Sequence, residues 1–316
     1  MQTYLEFEKP LAELNKQIAA LRATAEGDDV VDVGPELDKL ESKAAGQLRD
    51  LYRTLTPWQK TQVARHPDRP HFKQIVAAMV DDFMPLAGDR GFADDQAILG
   101  GLGRIDEQRV MVIGHEKGHD TATRIRHNFG MGKPEGYRKA IRLMQLADRF
   151  GIPVLTLVDT SGAFPGIEAE ERGQAEAIAR STEQCLALGV PMIAAVVGEG
   201  GSGGAIALAA ADRVLMLEHA VYAVISPEGC ASILWRTADK ASDAATAMRV
   251  TAQDLLALKV IDEIIPEPVG GAHRDPGAAV AMLRAVIVRN LNDLGSMPAD
   301  QRRLAREEKF LAIGRA

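Results

Sequence analysis

The segment VPMIAAVVGEGGSGGAIALAAADRVLML, residues 190–217, gives the clearest indication of the fold of this chain. It begins with a continuously apolar run, passes through a glycine-rich turn at Gly198–Gly204, and continues as a small-residue helix and a second apolar run. Strands that are apolar on both faces and alternate with helices are typical of a largely parallel sheet that is covered on both sides. The segment therefore predicts a strand–turn–helix–strand unit of an α/β fold.

The segment before it has the same plan. The run IPVLTLVD (152–159) predicts a buried strand, TSGAFPG (160–166) a turn, and Ile167 to Leu188 a helix. Two glycine-rich turns at the ends of adjacent parallel strands are expected to face the same crevice. We read the acidic residues Glu168, Glu170 and Glu171 as partners of the helix dipole.

Further from the decisive segment, the patterns predict a hairpin and two helical ends. AILGGLGRI (97–105) and RVMVIGHEKG (109–118) predict two strands joined at a short turn, and Pro134 to Phe150 predicts a helix. Apolar residues at helical spacing predict a helical hairpin around the polar turn GDDVVDVG (27–34), and the tail from Asp275 is expected to be helical and charged at its end.

Composition restricts the classes of function. The 316 residues carry 37 Lys and Arg against 44 Asp and Glu, a formal net charge of −7, which argues against a general nucleic-acid surface. The two cysteines, Cys185 and Cys230, are too few for a disulfide framework or a four-sulfur zinc site. No targeting peptide or apolar run long enough to span a membrane is evident, so a cytoplasmic location is expected.

The glycine-rich turn after the decisive strand has more than one interpretation. Backbone N–H groups that converge at a helix start form an anion or oxyanion site. Gly198, Gly200 and Gly203 also satisfy the dinucleotide-binding pattern, with Glu218 where a ribose-binding acid is expected. Against this interpretation, the unit is not the first strand–helix–strand unit of the chain, and the helix after the turn is short.

The same turn matches the nucleophile elbow of α/β-hydrolases through Gly200, Ser202 and Gly204. Such an enzyme needs an acid and then a histidine downstream, and Asp262 followed by His273 is the convenient order. Both lie in a turn-rich stretch with no sign of being aimed at the turn. We therefore prefer the interpretation that Ser202 is small because the backbone turns tightly there.

A third pattern, His115-Glu116-Lys117-Gly118-His119, matches the HExxH signature of zinc proteases. That signature requires a helix, because only residues four apart on a helix place both imidazoles on one face. Here the pattern directly follows a strand and contains a glycine, so we interpret it as polar residues leaving that strand.

The chain resembles a known family in long, ordered blocks that span almost its whole length. These blocks resemble the carboxyltransferase alpha subunits of bacterial acetyl-CoA carboxylase: LAGDRGFADDQAILGG (86–101), RHNFGMGKPEGYRKAIRLMQLADRF (126–150), DTSGAFPG (159–166), EERGQAEAIA (170–179), GEGGSGGAIAL (198–208), ISPEGCASILW (225–235) and IIPEPVGGAHR (264–274). One departure is Ser161, where the family commonly has proline.

The resemblance implies an α/β crotonase-like (ClpP/crotonase) fold of repeated ββα units, rather than a dinucleotide fold. It implies an N-terminal helical extension at 1–34, a CoA carboxyltransferase domain at 35–292 with its core at about 86–268, and a charged C-terminal helical tail at 293–316.

The resemblance also implies an enzyme that works only with a partner. The implied reaction moves a carboxyl group from carboxybiotin, attached to a biotin carboxyl carrier protein, to acetyl-CoA, giving malonyl-CoA for fatty-acid biosynthesis. The implied partner is a beta subunit of the same fold that carries a four-cysteine zinc ribbon, in an α2β2 assembly that works with biotin carboxylase. No metal is expected on the alpha chain.

The resemblance further implies which residues do the work. The N–H groups of Gly203 and Gly204 would form the oxyanion hole for the biotin ureido oxygen, while the beta subunit would supply the hole for the thioester enolate. Gly204→Val is expected to fold and pair but to lose turnover. Cys230 is expected to be buried, Trp235 and Phe164 could line the biotin channel or only fill the core, and Arg124 and Arg126 could meet a CoA phosphate or simply solvate a loop. The implied substrate-binding residues are Gly200, Gly201, Ser202, Gly162, Ala163 and Phe164.

Overall fold

The computed structural model of the chain describes residues 3–25 and 33–315. In this part of the chain, eight strands form one sheet. Their bounds are β1 Asp81–Pro85, β2 Ile98–Ile105, β3 Gln108–His115, β4 Val154–Thr160, β5 Met192–Gly201, β6 Arg213–Leu217, β7 Val221–Ala223 and β8 Glu263–Ile265.

The sheet runs in the order β1-β2-β3-β4-β5-β6-β8, and β7 pairs with the far end of β5. Strands β1 to β3 are antiparallel, whereas β3 to β8 pair in parallel. The predicted hairpin is confirmed as β2 and β3, with Asp106 in the left-handed region (φ 52°) at its turn. The predicted parallel sheet is likewise confirmed from β3 onward.

Helices cover both faces of the sheet and form both ends of the described chain. Their bounds are α1 Lys9–Ala25, α2 Gly34–Arg53, α3 Pro57–Ala64, α4 Phe72–Met79, α5 Thr121–Arg126, α6 Pro134–Arg149, α7 Ile167–Glu171, α8 Gln174–Ala187, α9 Ser202–Ala209, α10 Pro227–Trp235, α11 Ala241–Met248, α12 Ala252–Ala257, α13 Pro276–Gly295 and α14 Ala299–Ala312. Within residues 3–25 and 33–315, no helix has the length and apolar character needed to cross a bilayer.

The core lies on both sides of the central strands. Every residue of β4 and of β5 is buried, which explains why these segments are continuously apolar in the sequence. Helices α6 and α8 pack against each other, and α9 contacts both strands. The predicted single helix from Ile167 to Leu188 is wrong in one respect. Gly173 adopts φ 78°, a left-handed conformation that separates α7 from α8.

The two helical ends dock on this core in different ways. The predicted N-terminal helical hairpin is confirmed as α1 and α2, which pack through the apolar residues Leu11, Leu14, Ile18 and Ala44. Most of the turn predicted between them lies outside the described residues. The tail is helical, as predicted, but its α14 helix buries two arginines, Arg302 and Arg306. The domain boundaries remain predictions.

Candidate functional site

The two glycine-rich turns meet, as the sequence predicted. Thr160 at the end of β4 lies opposite Gly200 in β5. A Cβ atom added at Gly201 would lie 2.3 Å from the Ser161 carbonyl carbon, and one added at Gly204 would lie 2.6 Å from that of Gly162. These contacts are far shorter than van der Waals separation, so the glycines are required for the backbones to approach.

The turn into α9 is sharp. Ser202, its first residue, has φ 51°, a left-handed conformation that a non-glycine residue seldom adopts. This confirms that the backbone turns tightly at Ser202. Gly203 and Gly204 follow in the first turn of α9, where N–H groups have no acceptor within the helix. The turn therefore offers backbone donors at a helix start.

An apolar cavity of about 350 Å³ opens beside this helix start. Helix α14 contributes to the wall of this cavity. The two predicted donors differ in their position: Gly203 lines the cavity, whereas Gly204 is buried against the other glycine-rich turn. The residues lining the cavity include Ser202, Gly203, Ile206, Tyr222, Val224, Phe310 and Ile313.

The contact at Gly204 bears on one expectation. A Cβ there would also lie 2.8 Å from the Ala163 backbone nitrogen, so any larger side chain must displace the neighbouring turn. Gly204→Val is therefore expected to destabilise the fold as well as to lose turnover, and whether it still folds and pairs stays a prediction. Gly203 differs, because a Cβ there would meet only Ile178 side-chain atoms at 3.5 Å, an ordinary contact.

A second cavity, of about 380 Å³, lies on the Ser161 side of the two turns and is lined by charged residues. Arg124, one of the two arginines singled out in the sequence, contributes to its wall, together with Arg65, His71, Lys117 and Glu199. The crevice thus has an apolar side and a charged side, separated by the packed glycine turns.

A buried carboxylate, Asp159, joins these turns. Its oxygens accept hydrogen bonds from the Glu199 backbone N–H at 2.9 Å and from His71 Nδ1 at 3.1 Å, and Lys117 Nζ lies 2.7 Å away. Burial by itself would raise the pKa of Asp159, but the adjacent Lys117 and His71 outweigh it and hold the pKa far below its ordinary value. Asp159 is therefore ionised at neutral pH.

Two arginines, Arg65 and Arg69, brace the strand that leads into the glycine turn. Arg65 donates to Glu199 at 2.6 and 2.9 Å and to Glu228 at 2.5 Å. Arg69, 2% exposed, donates to the Val197 carbonyl and forms a two-pronged pair with Glu267 at 2.9 Å. The sequence patterns did not indicate either arginine; both lie in the segment between α3 and α4. One sign of buried charge was present in the sequence, because the acid Asp159 stands at the end of an otherwise apolar strand.

The other predicted site residues lie around the same turns. Gly200 pairs with Tyr222 of β7, and Gly162 closes a tight turn in which its carbonyl accepts from the Thr160 hydroxyl at 2.7 Å. Ala163 packs partly buried against the main core. Phe164 is half-buried, with Lys133 Nζ 4.8 Å from its ring centroid.

The HExxH pattern does not form a helix, as expected. His115 ends β3, is 1% exposed, and accepts at Nδ1 from the Asp159 N–H at 3.4 Å; burial lowers its pKa to about 4. His119 lies in the following loop, exposed, with its Nε2 3.2 Å from Asp120. Among residues 3–25 and 33–315, no three His, Cys, Asp or Glu side chains are grouped to hold a metal ion.

The residues that the hydrolase and dinucleotide interpretations would need are bound to other partners. Asp262 pairs with Lys309 at 2.9 Å, and His273 stacks on His66 with ring centroids 3.9 Å apart. A Glu218 carboxylate oxygen accepts from the Glu267 N–H at 3.2 Å. These contacts give Ser202 no triad and leave the ribose-binding role of Glu218 without support.

Helix α10 follows β7, which contributes to the wall of the apolar cavity, and presents apolar side chains to solvent. Ile233 is 70%, Leu234 65% and Trp235 44% exposed. Cys230 is half-buried, so the expectation that it is buried is wrong; Ile233 and Leu234, which follow it in the same helix, face solvent. Trp235 does not fill the core.

Comparison with known proteins gives a consistent result over the full length. The sequence model of a family described as acetyl co-enzyme A carboxylase carboxyltransferase-like matches residues 4–314. The chain is 72% identical over 316 residues, all of both chains, to the acetyl-coenzyme A carboxylase carboxyl transferase subunit alpha of Sphingopyxis alaskensis. It is 65% identical over 314 residues to the subunit of the same name from Zymomonas mobilis, covering 99% of this chain and 100% of that one.

Solved structures resemble the fold at low sequence identity. The chain superposes on transcarboxylase 12S with a TM-score of 0.59 at 20% identity, covering 72% of this chain and 42% of that one. For the beta subunit of Pseudomonas aeruginosa geranyl-CoA carboxylase the TM-score is 0.56 at 19% identity, covering 78% and 46%. The chain thus spans less than half the length of these two proteins. The likeness confirms the predicted crotonase-like fold.

Proposed function

The chain belongs to the acetyl co-enzyme A carboxylase carboxyltransferase family, and we propose that it acts as the alpha subunit of that enzyme. In this role it transfers the carboxyl group from carboxybiotin on the biotin carboxyl carrier protein to acetyl-CoA, and the product is malonyl-CoA for fatty-acid biosynthesis. At the site, the proposal rests on the glycine turn into α9, where N–H donors of the first helical turn lie beside an apolar cavity.

The residues around this turn fit a biotin group. Its ureido oxygen needs N–H donors, and its sulfur ring and aliphatic chain need apolar walls. Gly203 lines the cavity in the first turn of α9, and the walls include Ile206, Val224 and Phe310. When bound, carboxybiotin supplies the carboxyl group and, after losing it, the nitrogen that accepts a proton from the acetyl methyl group.

The contribution of this chain is then electrostatic. The N–H groups of Gly203, which lines the cavity, and of Gly204, in the same helical turn, would donate to the ureido oxygen as negative charge develops there, and the positive end of the α9 dipole would reinforce them. Donors that are fixed before the reaction stabilise this charge without reorganisation. Gly200, Gly201 and the neighbouring turn at Gly162–Phe164 hold the donors in place through close backbone packing, which the contacts at Gly201 and Gly204 support.

A partner subunit completes the site in this proposal. Val224 of the apolar cavity is 82% exposed, and the exposed side chains of α10 follow it closely in the sequence. Several large apolar side chains exposed on one segment are typical of a protein–protein contact. We assign this surface to the beta subunit, which would carry the zinc ribbon and the enolate hole, in a cytoplasmic α2β2 assembly that receives carboxylated carrier from biotin carboxylase.

The test is malonyl-CoA formation from acetyl-CoA and carboxylated biotin carrier. We expect activity when this chain is mixed with the zinc-ribbon beta chain from the same organism, and none with either chain alone. No activity in the mixture, with both chains shown to be folded, would contradict the proposal. Labelling of Ser202 by a fluorophosphonate would instead support the hydrolase interpretation, although Asp262 and His273 bind other residues and give Ser202 no triad.

A further inference from the structure

A separate cavity of about 490 Å³ lies beside the antiparallel strands β1 and β2, and we call it the hairpin cavity because β2 belongs to the β2–β3 hairpin. Helix α4 forms one side, β1, β2 and the segment after β1 form the other, and the end of α5 with His127 closes one edge. Its volume lies in the range typical of small-molecule sites. Neither Gly203 nor the residues of the charged cavity line it, so it is distinct from the proposed catalytic crevice.

The walls of the hairpin cavity are mostly apolar. Phe72 and Val76 of α4 are buried beneath it, while Phe83, Leu86 and Leu99 from the hairpin side are only partly buried. These partly buried side chains pack against the main core but retain exposed apolar surface. Such a wall favours a ligand with a hydrocarbon portion.

Two cations at the edge of the cavity lack a carboxylate partner among the described residues. Lys73 and Arg126 both line the cavity, and neither forms an ion pair within residues 3–25 and 33–315. Lys73 Nζ lies 3.0 Å from His127 Nε2, and Arg126 makes only a long contact of 3.5 Å with the Gln96 side chain. A positive edge on an apolar cavity selects for an anionic head group.

The hydrogen bonds of His127 show that it cannot supply the missing negative charge. Its Nδ1 lies 2.5 Å from the Gln96 carbonyl oxygen and donates to it, so Nε2 is the acceptor of the Lys73 ammonium. The imidazole is neutral in this arrangement and adds no charge. The Glu116 carboxylate accepts from the Lys73 backbone N–H at 2.9 Å and forms no ion pair with its ammonium, which stays available to a ligand.

The remaining charged pair in the cavity is already neutralised. Lys139, 1% exposed, donates to the Asp94 carboxylate at 2.5 Å and to the Asp95 carbonyl at 2.6 Å. The unneutralised charge of the cavity is thus confined to the edge formed by Lys73 and Arg126.

We propose that the hairpin cavity binds a straight-chain monocarboxylate of medium length, with its chain against the apolar walls and its carboxylate at Lys73 and Arg126. The geometry distinguishes this ligand from a neutral alcohol of the same length, which would gain the apolar contacts but not the ionic ones. The cavity also favours a monocarboxylate over a CoA ester, because the bulky nucleotide of CoA does not fit a position suited to a single carboxylate.

The test is direct binding of hexanoate, octanoate and decanoate to the full-length chain by isothermal titration calorimetry. We expect one saturable site, with affinity rising about fourfold per methylene until the cavity is filled. A decanoate bearing a diazirine on its terminal carbon should label the segment 72–99 on photolysis. Binding of many equivalents without saturation, or labelling mainly elsewhere, would overturn the proposal.

Two variants and a matched control separate the head group from the chain. Lys73→Met should weaken decanoate binding by about tenfold or more while leaving decanol binding unchanged. Ala77→Phe, on an exposed cavity-lining position of α4, should fill the cavity and abolish binding of both. Lys39→Met, on an exposed lysine of α2, should change neither.

The melting temperature of each variant checks that it is folded. Decanoate affinity that is equal in Lys73→Met and in the unmodified chain would overturn the proposal, as would displacement of decanoate by acetyl-CoA. The latter result would place the ligand in a thioester site instead.

Discussion

Proline at position 203 tests the proposed oxyanion hole by removing one donor. Gly203 is the second residue of α9, and in the first turn of a helix proline costs no hydrogen bond because the N–H has no helical acceptor. In Gly203→Pro a ring methylene replaces the N–H hydrogen at a residue that lines the apolar cavity. The variant therefore removes the donor and occupies the position of its hydrogen.

Gly203→Ala is the matched control, since it keeps the N–H group and adds only a Cβ. That Cβ would lie 3.5 Å from Ile178 Cδ1 and Cγ2, so it fits without displacement. Loss of a single oxyanion-hole donor costs about 2.7–4 kcal/mol of barrier, or roughly 10²–10³ in kcat. We expect Gly203→Pro to lose that factor and Gly203→Ala to stay within a few-fold of the unmodified chain.

The assay is malonyl-CoA formation with the beta chain and carboxylated carrier, alongside a melting temperature for each variant. Gly204→Ala is the third variant of the series. Its Cβ would lie 2.6 Å from the Gly162 carbonyl carbon, so we expect it to lower the free energy of unfolding by about 1–3 kcal/mol. Gly46→Ala, in α2 with nothing within 4 Å of the added Cβ, should be fully active. A folded Gly203→Pro chain with the activity of Gly203→Ala would refute the role of this N–H.

Three further predictions concern buried charges. Arg306→Met should lower the free energy of unfolding by about 3–5 kcal/mol in urea denaturation, because it strands a buried carboxylate, whereas Arg303→Met, on the exposed side of the same helix, should change it by less than about 0.5 kcal/mol. Burial and neighbouring cations lower the pKa of His273 to about 3, so the unfolded chain binds more protons below pH 6.5. Stability should fall from pH 6.5 to 5 by about 2 kcal/mol from this group, and His273→Phe should flatten that slope in urea melts. Asp159→Asn should retain an acceptor for the strand but leave Lys117 with only the more distant Glu199, 3.7 Å away, lowering both the melting temperature and kcat, and an unchanged melting temperature would contradict the role of the charge.

The parts of the fold that were predictable from sequence are those that depend on local pattern. The hairpin of β2 and β3, the buried strands β4 and β5 and the long helix α6 follow from apolar runs and helical spacing within one segment. The meeting of the two glycine turns also followed, since parallel neighbours end at the same edge of a sheet. The break at Gly173 was missed because a single glycine in a helical pattern does not reveal its φ.

The charged tail shows why other features could not be predicted. A run such as ADQRRLAREEKFLA predicts a solvated helix, yet Arg306 is 1% exposed and pairs with Asp212 at 2.8 and 2.9 Å. It also donates to the Cys185 carbonyl at 2.6 Å. These partners lie 94 and 121 positions away in the chain, so no local pattern carries the information.

The buried charges beside the glycine turn have a common cause in the register of β4 and β5. Val158 pairs with Val196 and Thr160 with Gly200, so one residue on β4 faces three on β5, and the extra residues leave backbone groups without a strand partner. Asp159 accepts from the Glu199 N–H, and Arg69 donates to the Val197 carbonyl, so two side chains replace the missing ladder bonds. Both must be buried there, and each needs a counter-charge, which Lys117 and Glu267 supply. The charged network is therefore the means by which the sheet tolerates the irregularity that leads into the glycine turn, and this explains why a site built from backbone donors is surrounded by ion pairs.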